Sequence, residues 1–592
     1  MEMQFPVILD GATGTELQKR GFTGDMSAEQ WVLEHPESIL EIQRKYVASG
    51  SNVLYAPTFG GNRQKLEERG IFNRTEEMNK ALVQLSKQAA DGKAWVAGDI
   101  APTGRFLAPL GDASFEELVD IYTEQAAGLE QAGVGLYVIE TMMTLTDARA
   151  AVLAIRSMSK KPILVSFTCD ESGKILSGTD VVAALSVMEG MGVSAFGLNC
   201  SAGPEQMLPQ LQRLHKYARV PLIAKPNAGM PKIVNGEAVY NCPPEEFAAL
   251  VPEMLKAGVA LFGGCCGTTP EFIKLLNSVF AGCVPGRSAH KMPSVLCTPV
   301  DFVNVDGITV VGERINPTGK KRFQQALREE DMNYVLEQAV SQVEAGAQVL
   351  DVNVGAPGVD EPALMPKVVK ALQSVVSLPL QLDSSNVQAL ENGLRVYNGK
   401  PIVNSTNGEP EKLAAILPLC KKYGAAIVGL AIDEKGIQPK AADRVAIARR
   451  ITEAALEAGI PREDIYIDCL TLTASAQQKD VLATVQALEA CKKELGVRTI
   501  LGVSNISFGL PCRPYLNTTF LTMAMYAGLD LAIMNPSSEE MMAAVYAYNV
   551  LTNRDPQSTK YIERYADRVP ASVALKQAAQ TVPAASASAS GE

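Results

Sequence analysis

Long apolar stretches and a secretory leader are both lacking in this chain. Its 592 residues contain no uninterrupted apolar run of the ~18 residues that a membrane-spanning helix needs. The first residues also lack the basic segment and apolar core that together mark a secretory leader. We therefore expect a protein of the cytoplasm that does not associate with a membrane.

Positive charge and cysteine are also scarce. The formal net charge is −11, which argues against nucleic acid as the main partner, because a nucleic-acid-binding surface is basic. Eleven cysteines are too few for a disulfide framework in a chain of this length, so we expect free thiols or metal ligands. Hydrophobic residues make up 47% and charged residues 20% of the chain, which indicates a globular protein with a sizeable core.

Short apolar runs alternate along the whole chain with longer segments in which apolar residues have helical spacing. Segments 36–50 and 114–133 are examples of the latter, and each ends in a glycine suited to a helix C-terminus. The first series of predicted strands comprises 7–9, 53–56, 95–98, 137–140, 163–167, 195–198, 222–225 and 260–264. The second series comprises 308–312, 349–353, 378–382, 401–404, 426–432, 465–468, 500–504 and 531–535.

Near-continuous apolar strands that alternate with helices predict parallel sheets covered on both faces, and each series has the strand number of a (β/α)₈ barrel. The predicted fold class is therefore α/β, with two (β/α)₈ TIM barrels in tandem. We expect barrels at 1–290 and 301–567, a short linker at 291–300, and a flexible Ala- and Ser-rich tail at 568–592. One barrel followed by an open doubly wound domain is the alternative.

Two adjacent cysteines stand between glycines in LFGGCCGTTP, residues 261–270. Cys265 and Cys266 follow the eighth predicted strand of the first barrel, and Cys200 follows the sixth. The chemistry of this fold gathers where strands end, and three thiolates at one barrel mouth would form a zinc site with an open fourth position. Cysteine is also a common small core residue, so burial without a metal is the alternative.

The motifs of the first half resemble those of the homocysteine S-methyltransferase family. That resemblance implies that Cys200, Cys265 and Cys266 bind zinc and that homocysteine sulfur takes the fourth position. Asp10, Thr58, Glu140 and Thr141 would then hold the amino-acid part of homocysteine, although APTF departs from the family's usual Asn-Thr-Phe. The matching motifs are GGCCGT, the upstream NC, DGATGTEL (10–17), APTFGGNR (56–63), GDIAPTG (98–104), YVIETMMTLTDARAA (137–151), VSFTCDESG (165–173) and KPNAGMP (225–231).

The motifs of the second half resemble those of pterin-binding barrels that bind methyltetrahydrofolate. They are GERINPTGKKRF (312–323), GAQVLDVNVGAPGVDE (346–361), LDSSN (382–386), VNSTNGE (403–409), YIDCLTLT (466–473), GVSNISFGLPCR (502–513) and IMNP (533–536). Their polar residues lie just beyond predicted strand ends. The candidate folate-binding residues are Glu313, Asn316, Asn353, Asp383, Asn404, Asp468, Asn505 and Arg513.

Three of these polar residues are the candidate catalytic residues. Asp383 and Asp468 would accept hydrogen bonds from the amino-pyrimidinone edge of the pterin. The resemblance implies that Asn505 reaches the methyl-bearing nitrogen and stabilises its protonated form. Arg513 would meet a folate carboxylate or the pterin face. Any single Asn or Asp could instead be a turn or helix cap.

The order of the two barrels resembles that of the cobalamin-dependent methionine synthase family. The implied reaction carries a methyl group from 5-methyltetrahydrofolate by way of cobalamin, as methylcobalamin, to homocysteine. None of the three histidines, His35, His215 and His290, stands two residues after an aspartate as in the D-x-H-x-x-G loop of the family's cobalamin domain. We therefore expect the corrinoid to be held elsewhere, in a longer protein or on a separate one.

Three alternatives stay open from the sequence. The first is a folate and corrinoid methyltransferase of another one-carbon pathway, which would not need the CC pair. The second is a dihydropteroate synthase, which would have no use for the first barrel. The third is a non-catalytic scaffold that docks a corrinoid protein and whose cysteines are structural.

Overall fold

The structure is a computed structural model that describes residues 5–108, 110–200, 202–234, 237–280, 283–286 and 292–568. The predicted tail lies outside the described residues except for Arg568, as does residue 291 at the start of the expected linker. Among the described helices, none has the length and the apolar composition that crossing a membrane requires.

The first half folds around eight parallel strands in the part of the chain that is described. Their order around the sheet is β1-β10-β7-β6-β5-β4-β3-β2. Strands β8 and β9 pair with each other as a separate antiparallel hairpin. The strands are β1 (Val7–Ile8), β2 (Val53–Tyr55), β3 (Trp95–Ile100), β4 (Leu136–Met142), β5 (Ile163–Phe167), β6 (Ala195–Asn199), β7 (Leu222–Lys225), β8 (Lys232–Val234), β9 (Glu237–Val239) and β10 (Val259–Phe262).

Helices follow the strands of this barrel and cover its outside. They are α1 (Gly14–Gln18), α2 (Ala28–Glu34), α3 (Pro36–Ala48), α4 (Arg63–Glu67), α5 (Thr75–Ala90), α6 (Phe115–Gln131), α7 (Leu145–Arg156), α8 (Val181–Gly190), α9 (Pro204–His215), α10 (Pro244–Ala249), α11 (Val251–Lys256) and α12 (Pro270–Phe280). Side-chain caps begin several of them, as at Ser114, whose hydroxyl accepts a hydrogen bond from the Glu117 amide before α6.

Two polar side chains close the seam between β1 and β2, the first and last strands of the first sheet. The backbone amide of Asn52 donates to the carbonyl oxygen of Ile8 over 2.7 Å, and the Ile8 amide donates to the Asn52 side-chain oxygen over 2.8 Å. The Tyr55 amide donates to a carboxylate oxygen of Asp10 over 2.7 Å. Two polar side chains therefore satisfy the strand edges where the regular ladder stops.

The second half folds around a closed barrel of parallel strands in the order β13-β14-β15-β16-β17-β20-β21-β22. Strands β11 and β12 form an antiparallel hairpin before the barrel, and β18 and β19 form a small one within it. The strands are β11 (Val295–Cys297), β12 (Phe302–Asn304), β13 (Thr309–Ile315), β14 (Val349–Asn353), β15 (Leu380–Asp383), β16 (Ile402–Asn407), β17 (Ala426–Leu430), β18 (Ile432–Asp433), β19 (Gly436–Ile437), β20 (Ile465–Asp468), β21 (Arg498–Gly502) and β22 (Leu531–Met534).

The outer layer of the second barrel is again helical. Its α-helices are α13 (Lys321–Arg328), α14 (Met332–Ala345), α15 (Glu361–Val375), α16 (Val387–Val396), α17 (Pro410–Tyr423), α18 (Ala441–Glu457), α19 (Ala474–Gln477), α20 (Val481–Ala490), α21 (Arg513–Ala527), α22 (Glu539–Leu551) and α23 (Thr559–Tyr565). Short 3₁₀ turns occupy Arg462–Asp464, Gln478–Asp480, Val503–Ser507 and Pro556–Ser558, and a π-helical turn occupies Cys491–Leu495.

The segment expected to be a linker contains strand β11 of the β11–β12 hairpin. Leu296 of β11 and Val305 after β12 pack with apolar residues from the beginnings of the second-barrel strands. The Ser294 hydroxyl lies 2.7 Å from the Tyr466 hydroxyl. The hairpin therefore covers the N-terminal end of the second barrel. Its Pro- and Ser-containing sequence does not predict this role, because the barrel residues that it packs against lie far away in the chain.

The two barrels share a buried interface. All ten residues of α8 are buried, because β11 and α17 of the second half pack against it. Burial of this kind is expected for a helix whose only polar side chains are Ser186 and Glu189. The Arg149 side chain, also buried, donates to the Leu394 carbonyl over 3.1 Å. Lys400 and Asp464, both buried, form an ion pair of 2.6 Å, and Arg219 of the first barrel approaches the same Asp464 oxygen at 3.5 Å.

Candidate active sites

Three thiols converge at the C-terminal end of the first barrel. The Sγ atoms of Cys200, Cys265 and Cys266 lie within 4.8 Å of one another. Cys200 directly follows β6, and the other two follow β10 after two glycines. Hydrogen bonds from the Cys200 and Cys265 thiols lower the pKa of the Cys266 thiol. The structure thus brings together the three cysteines that the sequence singled out.

The chain leaves the strand geometry at this turn, which lets neighbouring thiols face one point. The Cys265 amide donates to the Pro226 carbonyl over 2.8 Å. A side chain at Gly264 would place its Cβ 2.4 Å from the Thr268 hydroxyl, so this glycine permits a close approach. Gly267 has a φ of +81°, a left-handed conformation that glycine adopts without strain.

A cavity of about 590 Å³ opens beside the thiols. Asp10 and Lys225 form a buried ion pair in its wall, with 2.8 Å between the carboxylate oxygen and the ammonium nitrogen. The same ammonium lies 3.7 Å from the centre of the Tyr55 ring. Burial lowers the pKa of Lys225, but the Asp10 charge and other anionic neighbours reverse this and raise it well above its usual value. Lys225 therefore carries positive charge.

Three further buried acids line the cavity, Glu29, Asp99 and Glu140. Burial raises the pKa of Glu140 to about 7. Burial, followed by the Glu140 charge, raises that of Asp99 well above its usual value. Asn199, at the end of β6, donates to Glu140 over 3.3 Å and to the Thr141 hydroxyl over 2.7 Å. It therefore holds both residues at the end of β4.

Thr58 does not line this cavity, unlike Asp10, Glu140 and Thr141. It is fully buried, and its hydroxyl donates to the Asp99 carbonyl over 2.7 Å and accepts from the Asp99 amide over 3.1 Å. A contact with substrate was expected from the resemblance of APTF to the family's Asn-Thr-Phe. The structure instead turns its side chain to the neighbouring strand, where it fixes the backbone of Asp99.

The three thiols fit a metal ion such as zinc. A Zn–S distance of about 2.3 Å in tetrahedral geometry separates two sulfurs by about 3.8 Å. Sulfurs that lie within 4.8 Å of one another need only small side-chain rotations to reach that geometry. Thiolates are also ligands that a borderline soft divalent ion prefers. Cys200, Cys265 and Cys266 are therefore the candidate metal ligands.

In the second barrel a polar network joins the ends of neighbouring strands. Asn353 and Asp383 are paired in register, and the Asn353 amide group donates to an Asp383 oxygen over 2.9 Å. Asn316 lies 3.5 Å from both Asp383 and Asp351. Gln381 donates to Asp351 over 2.7 Å. Burial raises the pKa of Asp383 to about 6, and hydrogen bonding by Asn353 opposes the rise.

Asn404 and Asp468 continue this ring of polar residues. Asn404 is the register partner of Asp383 on the next strand. Asp468 is the last residue of β20 and accepts a hydrogen bond from the Leu470 amide over 2.7 Å. Burial raises the pKa of Asp468 to about 7, although that hydrogen bond opposes the rise. Both acids expected to bind the pterin edge therefore lie at strand ends, Asp468 buried and Asp383 half-buried.

The loop after β21 contributes the remaining candidates. Asn505 lies exposed in its 3₁₀ turn. The neighbouring Ser504 hydroxyl donates to Glu313 over 3.1 Å. The Arg513 guanidinium donates to the Ser507 hydroxyl over 2.8 Å and to the Ser504 carbonyl over 2.9 Å. Arg513 thus ties down the loop that presents Asn505, a contact that the sequence did not predict.

Several residues of these sites escaped the sequence analysis. Lys225 ends an apolar run that the pattern predicts only as a strand. Asp99 directly follows the predicted strand 95–98, although the structure continues that strand to Ile100. Asn199 stands one residue before the predicted ligand Cys200, and its polar side chain at a strand end is a signal that could have been used. Asp351 lies two residues before Asn353 on β14, and the pattern predicts it only as part of the buried strand 349–353.

Comparisons with known proteins agree with this division of the chain. The model of the homocysteine S-methyltransferase family matches residues 7–280, and that of the pterin-binding enzyme family matches residues 312–535. Methionine synthases of Mycobacterium leprae (strain TN) and Mycobacterium tuberculosis (strain ATCC 25618 / H37Rv) are each 34% identical to the chain. These alignments cover 89% of the chain and 47% of each relative, so the chain spans about half the length of the curated relatives it matches.

Solved structures similar to the chain each cover about one barrel. The metallated homocysteine methyltransferase MmuM of Escherichia coli is 27% identical, with a TM-score of 0.41, and covers 46% of this chain and 96% of its own. A dihydropteroate synthase of Xanthomonas albilineans is 17% identical, with a TM-score of 0.35, and covers 44% of this chain and 99% of its own. The chain therefore contains two domains in series, one matched by the homocysteine S-methyltransferase family model and one by the pterin-binding enzyme model.

Proposed function

We propose that the chain provides the homocysteine and folate sites of a cobalamin-dependent methionine synthase, a 5-methyltetrahydrofolate–homocysteine methyltransferase. Methyl would pass from 5-methyltetrahydrofolate by way of cobalamin to homocysteine, giving methionine and tetrahydrofolate. Residues 1–290 would bind homocysteine and residues 301–567 the folate. The observation that carries this proposal is the convergence of three thiols at the mouth of the first barrel.

In the first barrel, Cys200, Cys265 and Cys266 would hold zinc. Bound zinc would lower the pKa of the substrate thiol, so that its sulfur is present as the nucleophilic thiolate. The chain itself binds and orients the rest of homocysteine in the cavity beside the cysteines. Glu140 and Thr141, held by Asn199, would bind the amino-acid end of the substrate.

In the second barrel, two carboxyls at strand ends would bind the pterin edge. Asp383 and Asp468 at strand ends accept hydrogen bonds, and the amino-pyrimidinone ring supplies matching donors. Asn353 and Asn404 are the register neighbours of Asp383 on its two sides, so they would border the same ring. Asn505 would hydrogen-bond the methyl-bearing nitrogen and stabilise its protonated form, which makes the nitrogen a better leaving group.

The methyl group has to travel between two barrel mouths. A carrier is required because each site lies at the C-terminal end of its own barrel. The curated relatives, named methionine synthase, are about twice as long as the part that this chain matches, which leaves room in them for a domain that holds such a carrier; we propose cobalamin. It would be held by a corrinoid-binding domain in a longer protein or by a separate corrinoid protein.

Two half reactions and metal analysis test this proposal. Zinc-loaded full chain is supplied with free methylcobalamin and homocysteine, and methionine is measured. Cys265→Ser and Cys266→Ser are expected to lose both zinc and methionine formation. Cys169→Ser is the matched control, because Cys169 also follows a strand of the first barrel but lies outside the thiol cluster.

The second half reaction uses 5-methyltetrahydrofolate and Co(I) cobalamin. Asn505→Ala is expected to slow methyl removal from the folate while methionine formation from free methylcobalamin continues. Absence of bound zinc in the wild-type chain, or no methionine from the zinc-loaded chain, would count decisively against the proposal. Full activity of both cysteine variants would do the same.

A further inference from the structure

We propose that Asp99 is the residue that selects the α-ammonium group of the amino thiol substrate in the first barrel. This inference deepens the proposed function and rests on it. Asp99 lies within the GDIAPTG segment, and neither its position inside β3 nor the resemblance assigned it to the site. The assignment comes from which carboxylate oxygens in the cavity wall already have partners.

Asp10 has both carboxylate oxygens occupied by the protein itself. One accepts from the Lys225 ammonium over 2.8 Å, and the other accepts from the Tyr55 amide over 2.7 Å. The second contact also belongs to the seam that closes the barrel between β1 and β2. Asp10 therefore holds Lys225 and the barrel edge, and a substrate ammonium would have to displace one of these contacts to bind it.

Asp99 presents the opposite situation. Its side chain is 4% exposed and lines the cavity. Its Oδ1 atom is buried and has no hydrogen-bond partner among the described residues. A buried carboxylate oxygen without a donor is costly, and the carboxyl that carries it lines an open cavity, so Asp99 offers an acceptor to a ligand that donates hydrogen bonds.

The charges around the cavity indicate that this ligand group is cationic. Its buried lining contains the carboxyls of Asp10, Asp99, Glu140 and Glu29, but Lys225 as the only buried ammonium in the described lining. Lys225 already pairs with Asp10. Burial raises the pKa of both Asp99 and Glu140, and an α-ammonium group placed between them would stabilise their ionised forms and supply the missing hydrogen-bond donors.

The backbone of Asp99 is held rigidly from behind. The Thr58 hydroxyl bonds both its amide and its carbonyl, and the side chain of Gln125 donates to the Thr58 carbonyl over 2.8 Å. These fully buried polar contacts fix the backbone at Asp99, so the carboxyl stays in the wall of the cavity. Thr58 thus acts on substrate only through Asp99, as a positioning residue.

The test compares two thiols that differ only in the α-amino group, L-homocysteine and 4-mercaptobutanoate. Their dissociation constants for the zinc-loaded full chain are measured by calorimetry. Wild type is expected to prefer homocysteine. Asp99→Asn, and Asp99→Ser as a second neutral variant, are expected to reduce this preference roughly ten- to a hundred-fold by removing a charge-assisted hydrogen bond, with 4-mercaptobutanoate affinity nearly unchanged. Asp10→Asn, which releases Lys225, should instead weaken both thiols alike.

Glu253→Gln is the matched control, because it removes one negative charge from an exposed position on α11 and is expected to leave the preference unchanged. Zinc content and the melting temperature of each variant report whether its fold is intact. An unchanged preference in both Asp99 variants, or equal binding of the two thiols by wild type, overturns the role of Asp99 and leaves the proposed function standing. A zinc-loaded wild type that binds neither thiol overturns both.

Discussion

Folate affinity of the second barrel is expected to fall as the pH is lowered from 8 to 6. The reason is that Asp383 and Asp468 accept hydrogen bonds from the pterin edge only when they are ionised. Burial raises the pKa of Asp383 to about 6 and that of Asp468 to about 7. Both carboxyls are therefore largely ionised at pH 8 and gain protons within the range in which the protein can be studied.

The size of the effect follows from these two pKa values. Between pH 8 and 6 the ionised fraction of Asp468 falls about tenfold and that of Asp383 about twofold, so the dissociation constant should rise about 20-fold. In Asp468→Asn only the twofold effect of Asp383 should persist over the same range. The variant binds more weakly at pH 8 as well, because the amide presents one acceptor where the carboxylate presents two.

Calorimetric titration of 5-methyltetrahydrofolate at constant ionic strength measures the dissociation constant at each pH. Repeating it in buffers with different ionisation enthalpies gives the number of protons released on binding. About 0.6 proton should be released at pH 7, mostly from Asp468, and about 0.1 proton at pH 8. A dissociation constant that stays level between pH 8 and 6, or an Asp468→Asn variant that keeps the full slope, would refute the assignment of these carboxyls to the pterin edge.

Two further predictions concern the barrel interface and the thiol turn. Asp464→Asn should lower the free energy of unfolding by about 3 to 5 kcal/mol, because it leaves the buried Lys400 ammonium without its counter-charge. Lys400→Met should lower it less, because Asp464 keeps a second cation, Arg219 of the first barrel. Urea unfolding of both variants measures the two changes, and the reverse order would contradict the reasoning. Gly267→Ala would place a Cβ 2.5 Å from a Tyr240 ring carbon, at a residue with a φ of +81°. Its zinc affinity, measured in competition with a chelator, should therefore drop roughly ten- to a hundred-fold. Gly14→Ala is the control and should keep the wild-type zinc affinity, because its Cβ would meet nothing within 4 Å.

Local sequence patterns were sufficient to predict the barrel strands. Strands β14 and β20 begin and end at the predicted residues, because each is an apolar run that stops at a polar side chain on the mouth of the barrel. Hairpins β8–β9 and β11–β12 were missed. Their sequences carry little alternation of apolar and polar residues, and the surfaces that hold β11 come from distant parts of the chain.

The candidate sites divide in the same way. A strand-end position was enough to single out Cys200, whose partners lie at another strand end of the same barrel. The resemblance of a motif was not enough for Thr58, because it does not tell which way the side chain faces. Lys225 and Asp99 were passed over since their importance depends on partners more than 40 residues away, Asp10 and Thr58 respectively.

The β11–β12 hairpin has a practical consequence for dividing the molecule. A fragment of the second barrel could start at residue 301, the predicted domain boundary, or at 312, where the family match begins. Either fragment would lack Leu296 and would expose the apolar N-terminal end of the barrel. Both would also lack the Ser294 hydroxyl that meets Tyr466. The second barrel made alone therefore has to begin before Ser294, and the released first barrel would still carry a helix, α8, with an uncovered apolar side.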